Sequence, residues 1–327
     1  MKAVVWTAYG PPDVLQLQEV EQPAPQDDEV LIRIHAAAVT MGDCEARGLR
    51  IPWLIRLPMR LYMGYSKPSR VLTLGMELAG EIESAGKDGQ GFHPGDQVFA
   101  ATGLEFGAYA EYICLPENGA LASKPANMTF AEAAVVPIGG QEALHFLRAG
   151  AVRSGQKVLI NGAGGSIGTF AVQLAKAFGA EVTGVDSSGK LDMLRSIGAD
   201  HVIDYAQEDF TRNGQTYDVI FDVVGKVPFS DAIKSLKPDG RFLVANPGLS
   251  HLLRGPWTGM TSGKKVITAT STHSAENLVS LREMIEAGQI KAVIDRRYPL
   301  EQAAEAHRYV EGGQKKGDVV LTVAQDS

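Results

Sequence analysis

An apolar run, Val158-Leu159-Ile160, breaks directly into a glycine-rich turn, Asn161-Gly162-Ala163-Gly164-Gly165-Ser166-Ile167-Gly168. An amphipathic helical pattern follows over 167–178. A strand that feeds a helix through so tight a turn opens a βαβ unit, and few architectures contain one. In the frame from Gly162 the pattern G-x-G-x-x-G fails, because Ile167 stands where the last glycine belongs. The frame from Ala163 reads A-x-G-x-x-G, and the physics survives the change. Position 163 turns tightly, Gly165 lets a pyrophosphate approach the backbone, and Gly168 permits close packing of helix on strand. The helix then offers its unpaired amides and positive dipole end to phosphate. A second strand ends in Asp186, at the separation where a carboxylate meets an adenosine ribose. A dinucleotide site is therefore expected from Gly162, Ala163, Gly164, Gly165, Ser166, Ile167, Gly168 and Asp186. The plainer alternative is a packing loop.

The same rhythm continues. Strands are expected at 157–161, 181–186, 201–204, 218–223, 241–245 and 265–270, with helices between most of them. Six strands in this alternation predict an α/β fold with a mostly parallel, doubly wound sheet. Ligands of such sheets bind at the carboxyl edge. That edge adds Tyr205, Val223, Val224, Ala245, Asn246 and Pro247 to the candidate cofactor contacts. NAD and NADP stay open: Asp186 favours a free ribose, whereas Ser187 and Lys190 suit a 2′-phosphate.

Before about residue 125 the texture is β-rich, with partial period-2 alternation at Val30, Ile32 and Ile34 and turns such as His93-Pro94-Gly95-Asp96. A similar mixture returns near the C-terminus. A chain of 327 residues exceeds what one core serves. The expected division is a β-rich domain of 1–124 and 271–327 with a dinucleotide domain of 125–270 inserted in it. A formal net charge of −7 argues against a nucleic-acid partner. Cys44 and Cys114 are the two cysteines, too few for a disulfide framework or a cysteine-rich metal site. The first residues read as a strand rather than a signal peptide, and no apolar run reaches the length of about 18 that spans a bilayer. Cytoplasmic location without membrane insertion is the expectation.

Several stretches jointly resemble one family. They are Gly75-Met76-Glu77-Leu78-Ala79-Gly80-Glu81-Ile82, His93-Pro94-Gly95-Asp96-Gln97-Val98, Gly107-Ala108-Tyr109-Ala110-Glu111-Tyr112, the glycine loop, and Gly198-Ala199-Asp200-His201-Val202-Ile203-Asp204-Tyr205. The chain resembles the medium-chain dehydrogenase/reductase superfamily, specifically its zinc-less, zeta-crystallin-like quinone oxidoreductase branch. The resemblance implies a GroES-like β-rich catalytic domain, a Rossmann domain, and a homodimer. Where zinc-bearing relatives have Gly-His-Glu, this chain has Gly75-Met76-Glu77, and Thr40 falls near the place of a cysteine ligand. Cys44 is off register, and the seven histidines lack ligand spacing. No metal is expected. The implied activity is NAD(P)H-dependent reduction of a quinone or of the activated C=C bond of an enone, where conjugation supplies the electrophile. The substrate is then a small hydrophobic molecule. By likeness the cleft lies around Thr40, with Tyr62 and Tyr65 as further candidate proton or oxyanion donors. Asp43 and Arg47 read as a structural ion pair. Gly140-Gln141-Glu142 replaces the family's Gly-Leu-Thr, and Lys315-Lys316-Gly317-Asp318 resembles a segment that approaches the cofactor. Two alternatives remain: a zinc-less alcohol or aldehyde dehydrogenase, and a non-catalytic NAD(P)-binding redox sensor.

Residues 49–70 stand apart, being basic and apolar without an acid. They read as a hydrophobic lid, a membrane-surface segment or a partner interface. Pro52 and Pro58 interrupt a long amphipathic helix, which favours the lid.

Overall fold

The computed structural model describes residues 1–51, 53–268 and 272–323. The chain divides into two compact units. Met1–Ile138, His273–Glu286 and Ala292–Ser327 form the first, and Gly139–Thr272 with Ala287–Lys291 form the second. The composition change at 124/125 precedes the structural boundary, because long-range hydrogen bonds hold 125–138 in the first unit. The Ala126 amide donates to Glu286 (3.0 Å), the Asn127 side-chain amide to the Ile285 carbonyl (2.9 Å), and the Ile138 amide to Glu77 (2.7 Å). Residues 287–291 join the second unit through Gln173, whose side chain accepts from the Lys291 amide and donates to the Lys291 carbonyl, both at 2.9 Å.

In the first unit, strands Ile294–Pro299, Asp318–Thr322, Glu29–Ala38, Glu77–Ala85, Gln97–Ala101 and Leu121–Ser123 lie side by side, with Tyr112–Pro116 also pairing to Glu29–Ala38. The first two run parallel, and the other pairings are antiparallel. Val30, Ile32 and Ile34 are fully buried, and so are Ala36, Ala37 and Ala38 beyond the alternating stretch. Glu29–Ala38 is thus a central strand, and its inward positions carry the core.

The second unit follows the predicted rhythm. Its strands stand in the spatial order His201–Asp204, Glu181–Asp186, Lys157–Asn161, Tyr217–Asp222, Leu236–Val244, Lys265–Ile267. All pairings are parallel. In sequence order that is 3-2-1-4-5-6, a doubly wound sheet whose direction of winding reverses beside Lys157–Asn161. Val158, Leu159, Ile160, Val219, Ile220 and Phe221 are all wholly buried, which is why these strands read as unbroken apolar runs. The sixth strand was expected to reach 270; positions 269 and 270 lie outside the described residues.

One expectation fails inside the first unit. Helix Trp53–Met63 runs through Pro58 rather than stopping at it. Pro58 itself is exposed on the outer side of this helix. Pro52 lies outside the described residues.

Candidate active site

The glycine loop sits at the reversal point of the parallel sheet. Gly162 takes φ +82°, and a Cβ there would lie 2.4 Å from Val224 Cγ2. The Gly162 and Ala163 amides both donate to the Val185 carbonyl (3.0 and 3.1 Å), which folds the loop onto the neighbouring strand. At Gly168 a Cβ would meet the Gly162 carbonyl oxygen at 2.2 Å, so helix and loop touch there. Gly165 faces open space, its nearest neighbour being the Gly162 oxygen at 3.7 Å. Helix Ser166–Ala177 starts on Gly165 with no side-chain cap. Its dipole end and first-turn donors are those an anion takes, and the open cradle at Gly165 fits a pyrophosphate.

One residue missed by sequence reasoning, Asp222, organises this edge. Asp222 is wholly buried, and its Oδ1 accepts from the Asn161 side-chain amide (2.8 Å) and the Gly225 amide (2.9 Å). Its Oδ2 accepts from the Val227 amide (2.9 Å). The ends of the first and fourth strands of the second unit are locked together as a result. The available signal was Asp222-Val223-Val224-Gly225, an acid three residues before a glycine at the end of an apolar strand. Gly225 takes φ +72°, and a Cβ there would lie 2.5 Å from the Asn246 carbonyl oxygen. The Asn246 side-chain amide donates to the Val223 carbonyl (2.8 Å), and the Ala245 amide to Asp222 (3.2 Å). Val223, Val224, Ala245, Asn246 and Pro247 therefore line one edge with the glycine loop. Tyr205 joins them, 64 % exposed, its amide on the Asp186 carbonyl (3.2 Å).

Strand Glu181–Asp186 turns the Asp186 side chain inward, against the loop. Oδ2 accepts from the Gly164 amide (2.8 Å) and Oδ1 from the Ser187 amide (2.8 Å). The Lys190 ammonium lies 3.1 Å from Oδ1. Both carboxylate oxygens are engaged before any ribose arrives, and the charge is paired. This departs from the expected free acceptor: the acid ties the loop to the strand end. Lys190 lies along Gly164, where a Cβ would strike its Cδ at 2.5 Å. The Ser187 hydroxyl stands at the same corner, 3.5 Å from Asp186 Oδ1.

The candidates of the first unit form a buried polar cluster. Thr40 caps helix Met41–Gly48 in a capping box with Asp43. Its hydroxyl donates to Asp43 Oδ2 (2.6 Å) and accepts from the Asp43 amide (3.1 Å). Asp43 Oδ1 accepts from the Gly75 amide (3.0 Å), which fixes the loop before Met76. Burial pushes Asp43 up to about 6, against the hydrogen bonds from Thr40 and Gly75. Arg47 does not pair with Asp43 as expected; it is drawn to Glu311 and to the Gly10 carbonyl (3.0 Å). Cys44 lies 3.3 Å from His307 Nδ1, and burial lifts the thiol to about 12, so it stays protonated. Tyr62 is half-buried with Arg70 over its ring at 4.5 Å, and Tyr65 is exposed. Gln141 is buried in helix Pro137–Ala149. Lys315 is turned inward onto the Gly317 carbonyl (2.7 Å).

A zinc ion does not fit the donors at the likened positions. Thr40 Oγ1 and Met76 Sδ are 4.0 Å apart, a hydroxyl already bonded to Asp43 and a thioether. Glu77 is wholly buried; one oxygen takes the Ile138 amide and, among the described residues, the other has no partner. Burial, then the Asp318 charge, pushes that carboxyl well above the usual carboxylate range. Zinc takes thiolate, imidazole and carboxylate, and the Thr40 hydroxyl and Met76 thioether are none of these. Among the described residues no group of three or more His, Cys, Asp or Glu is placed to hold a metal ion.

Comparison with known proteins agrees with this layout. Residues 26–126 match the family described as alcohol dehydrogenase GroES-like domain, and residues 197–321 the one described as zinc-binding dehydrogenase. The chain is 33 % identical to a 2-methylene-furan-3-one reductase of Solanum lycopersicum, over 98 % of this chain and 79 % of that one. It is 31 % identical to a chloroplastic NADPH-dependent alkenal/one oxidoreductase of Arabidopsis thaliana, with the same coverage of 98 % and 79 %. A solved quinone oxidoreductase from Coxiella burnetii superposes with a TM-score of 0.85 at 27 % identity, covering 99 % of both chains.

Proposed function

The chain belongs to the medium-chain dehydrogenase/reductase superfamily, among its quinone oxidoreductases and enone reductases, and from that premise we propose that it reduces a conjugated C=C bond or a quinone with NADPH. One observation carries this reading: an uncapped dinucleotide loop occurs in a chain whose likened metal donors do not fit zinc. Without a Lewis acid, the substrate must supply its own electrophile, and conjugation does so. Bound nicotinamide supplies hydride. The loop at Gly165 and the start of helix Ser166–Ala177 hold the pyrophosphate. Val223, Val224, Ala245, Asn246 and Pro247 border the cofactor along the sheet edge.

The preference for NADPH rests on Lys190. By pairing with Asp186 it cancels the charge that repels a 2′-phosphate, and Ser187 and Tyr205 complete a polar corner around it. Protonation of the product falls to Tyr62 or to water, since the Thr40 hydroxyl is committed to Asp43. A homodimer belongs to the proposal. Helix Leu249–Ser262 exposes Leu249, Leu252, Leu253, Trp257 and Met260 next to the edge strand Lys265–Ile267, and light scattering that finds only monomer removes this part. A reducing compartment such as the cytoplasm suits the two free thiols, which fractionation of cells checks.

The test is NADPH oxidation followed optically against quinones, enones and aldehydes, with and without a chelator. Turnover of enones or quinones that ignores the chelator is expected, and Tyr62→Phe in the same assay separates a tyrosine proton from water. Loss of turnover in chelator contradicts the zinc-independent reading. Oxidation of alcohols alone supports the dehydrogenase alternative. Cofactor binding without turnover supports the sensor.

A further inference from the structure

Between Ala46 and Met76 the chain carries Arg47, Arg50, Arg56, Arg60, Lys67 and Arg70 and no acidic residue. The whole chain has a formal charge of −7, so with these six cations set aside the remainder carries −13. Arg47 and Arg50 are drawn to Glu311. Among the described residues the other four have no carboxylate partner. Arg60 lies over the Tyr9 and Tyr65 rings (5.5 and 5.9 Å) and Arg70 over Tyr62 (4.5 Å), while Arg56, which donates to the Ile51 carbonyl (3.5 Å), and Lys67 are exposed.

These cations flank an apolar row. In helix Trp53–Met63, Met59, Tyr62 and Met63 pack on the core of the first unit. Leu57 and Leu61 face outward, 56 % and 69 % exposed. Four residues apart, they stack in one row, and Arg56 and Arg60 form another row on the same helix. Ile55, Tyr65 and Leu72 extend the exposed apolar area. The argument for a lid was that proline breaks this helix, and the unbroken helix removes it.

We propose that helix Trp53–Met63 docks the protein on an anionic lipid surface. Leu57 and Leu61 enter the boundary of headgroup and acyl chain, while Arg56, Arg60, Lys67 and Arg70 meet lipid phosphates. Charge favours this orientation, because a negative membrane attracts the acid-free segment while the remainder of the chain carries a net −13. Helix Leu249–Ser262 is also apolar on its outer side, yet it carries a single arginine or lysine, Arg254, where helix Trp53–Met63 and the segment after it carry four. Arg254 lies over Phe229 (4.6 Å), and Lys264 bonds the Ile233 carbonyl (2.7 Å). That helix suits a second protein copy, and the basic helix suits lipid. The docking goes beyond the proposed reaction and is tested without it.

Vesicle flotation of the full chain decides the matter, with phosphatidylcholine alone against phosphatidylcholine mixed with phosphatidylglycerol. The chain is expected to float with the anionic vesicles only, and added salt to release it. Arg56→Gln and Lys67→Gln are expected to lower the partition coefficient by about fivefold per charge removed. Leu57→Gln with Leu61→Gln is expected to lower it as well, at an unchanged thermal midpoint because both positions are exposed. No binding to anionic vesicles at low salt overturns the proposal, and so does equal binding to neutral ones. Loss of binding through Leu253→Gln with Trp257→Gln, in place of the basic-helix variants, also overturns it. A change of oligomeric state in the Leu57/Leu61 variant without any vesicle binding does so too, because the helix then covers another copy.

Discussion

At Lys190 a single ammonium, 3.1 Å from Asp186, stands between two cofactors. Lys190→Ala leaves the Asp186 charge without its ammonium, to repel a 2′-phosphate. A charge-assisted bond of about 1.5–3 kcal/mol makes the expected fall in kcat/KM with NADPH roughly 10- to 100-fold, with NADH unchanged or improved. Equal losses with both cofactors contradict this role. The buried His307 makes a second prediction. Burial, then the Arg47 charge, holds its pKa down to about 3 from 6.5. Its contribution to stability is therefore full above pH 6.5 and is lost as pH falls toward 3. Asp43, raised from 3.8 to about 6, works in the opposite sense: its share is full below 3.8 and lost as pH rises through 6. The two oppose each other between those values. His307→Gln is expected to remove an acid-side slope of about 1.4 kcal/mol per pH unit, read from urea unfolding at successive pH values. A curve displaced without a change of slope contradicts it. At this scale the sequence showed the glycines, whose roles are local. It did not show that Asp186 faces inward, that Asp222 ties two strands, or that Arg47 reaches Glu311. Each of those depends on a partner supplied by a distant part of the chain.

The glycine loop is an element held by distances that leave no room for a methyl group. Gly168→Ala sets a Cβ 2.2 Å from the Gly162 carbonyl and 2.6 Å from the Ala163 carbonyl. Backbone must move, so a loss of about 1–3 kcal/mol in stability is expected, together with loss of cofactor binding. Thermal unfolding and titration with NADPH read the two effects, and an unshifted midpoint with normal binding contradicts the packing argument. Elements as a class were well marked in the sequence, because period 2, apolar runs and turn residues are local signals. The six strands of the second unit fell close to their expected places for that reason. Helix Trp53–Met63 was hidden by Pro58, which lies exposed within it. Residues 125–138 were assigned to the wrong unit because Asn127 and Glu77 hold them through partners far away in sequence.

At the scale of the whole chain, the insertion of one unit within the other was visible in the return of the strand pattern near the C-terminus. The parallel, doubly wound character of the second sheet was visible in the alternation of strands and helices, whereas its spatial strand order was not read from the sequence. What a reader of the sequence lacked was the chemistry at Thr40, Met76 and Glu77, where only the fold shows a deeply buried acid and a committed hydroxyl. That chemistry leads to the central claim, that hydride goes to a conjugated acceptor without a metal. The most direct measurement gives the protein NADPH deuterated at the transferring position together with an enone, and locates the label in the product by nuclear magnetic resonance. Deuterium on the β-carbon of a saturated ketone is the result the account predicts. Deuterium on a carbinol carbon, marking reduction of the carbonyl itself, contradicts it.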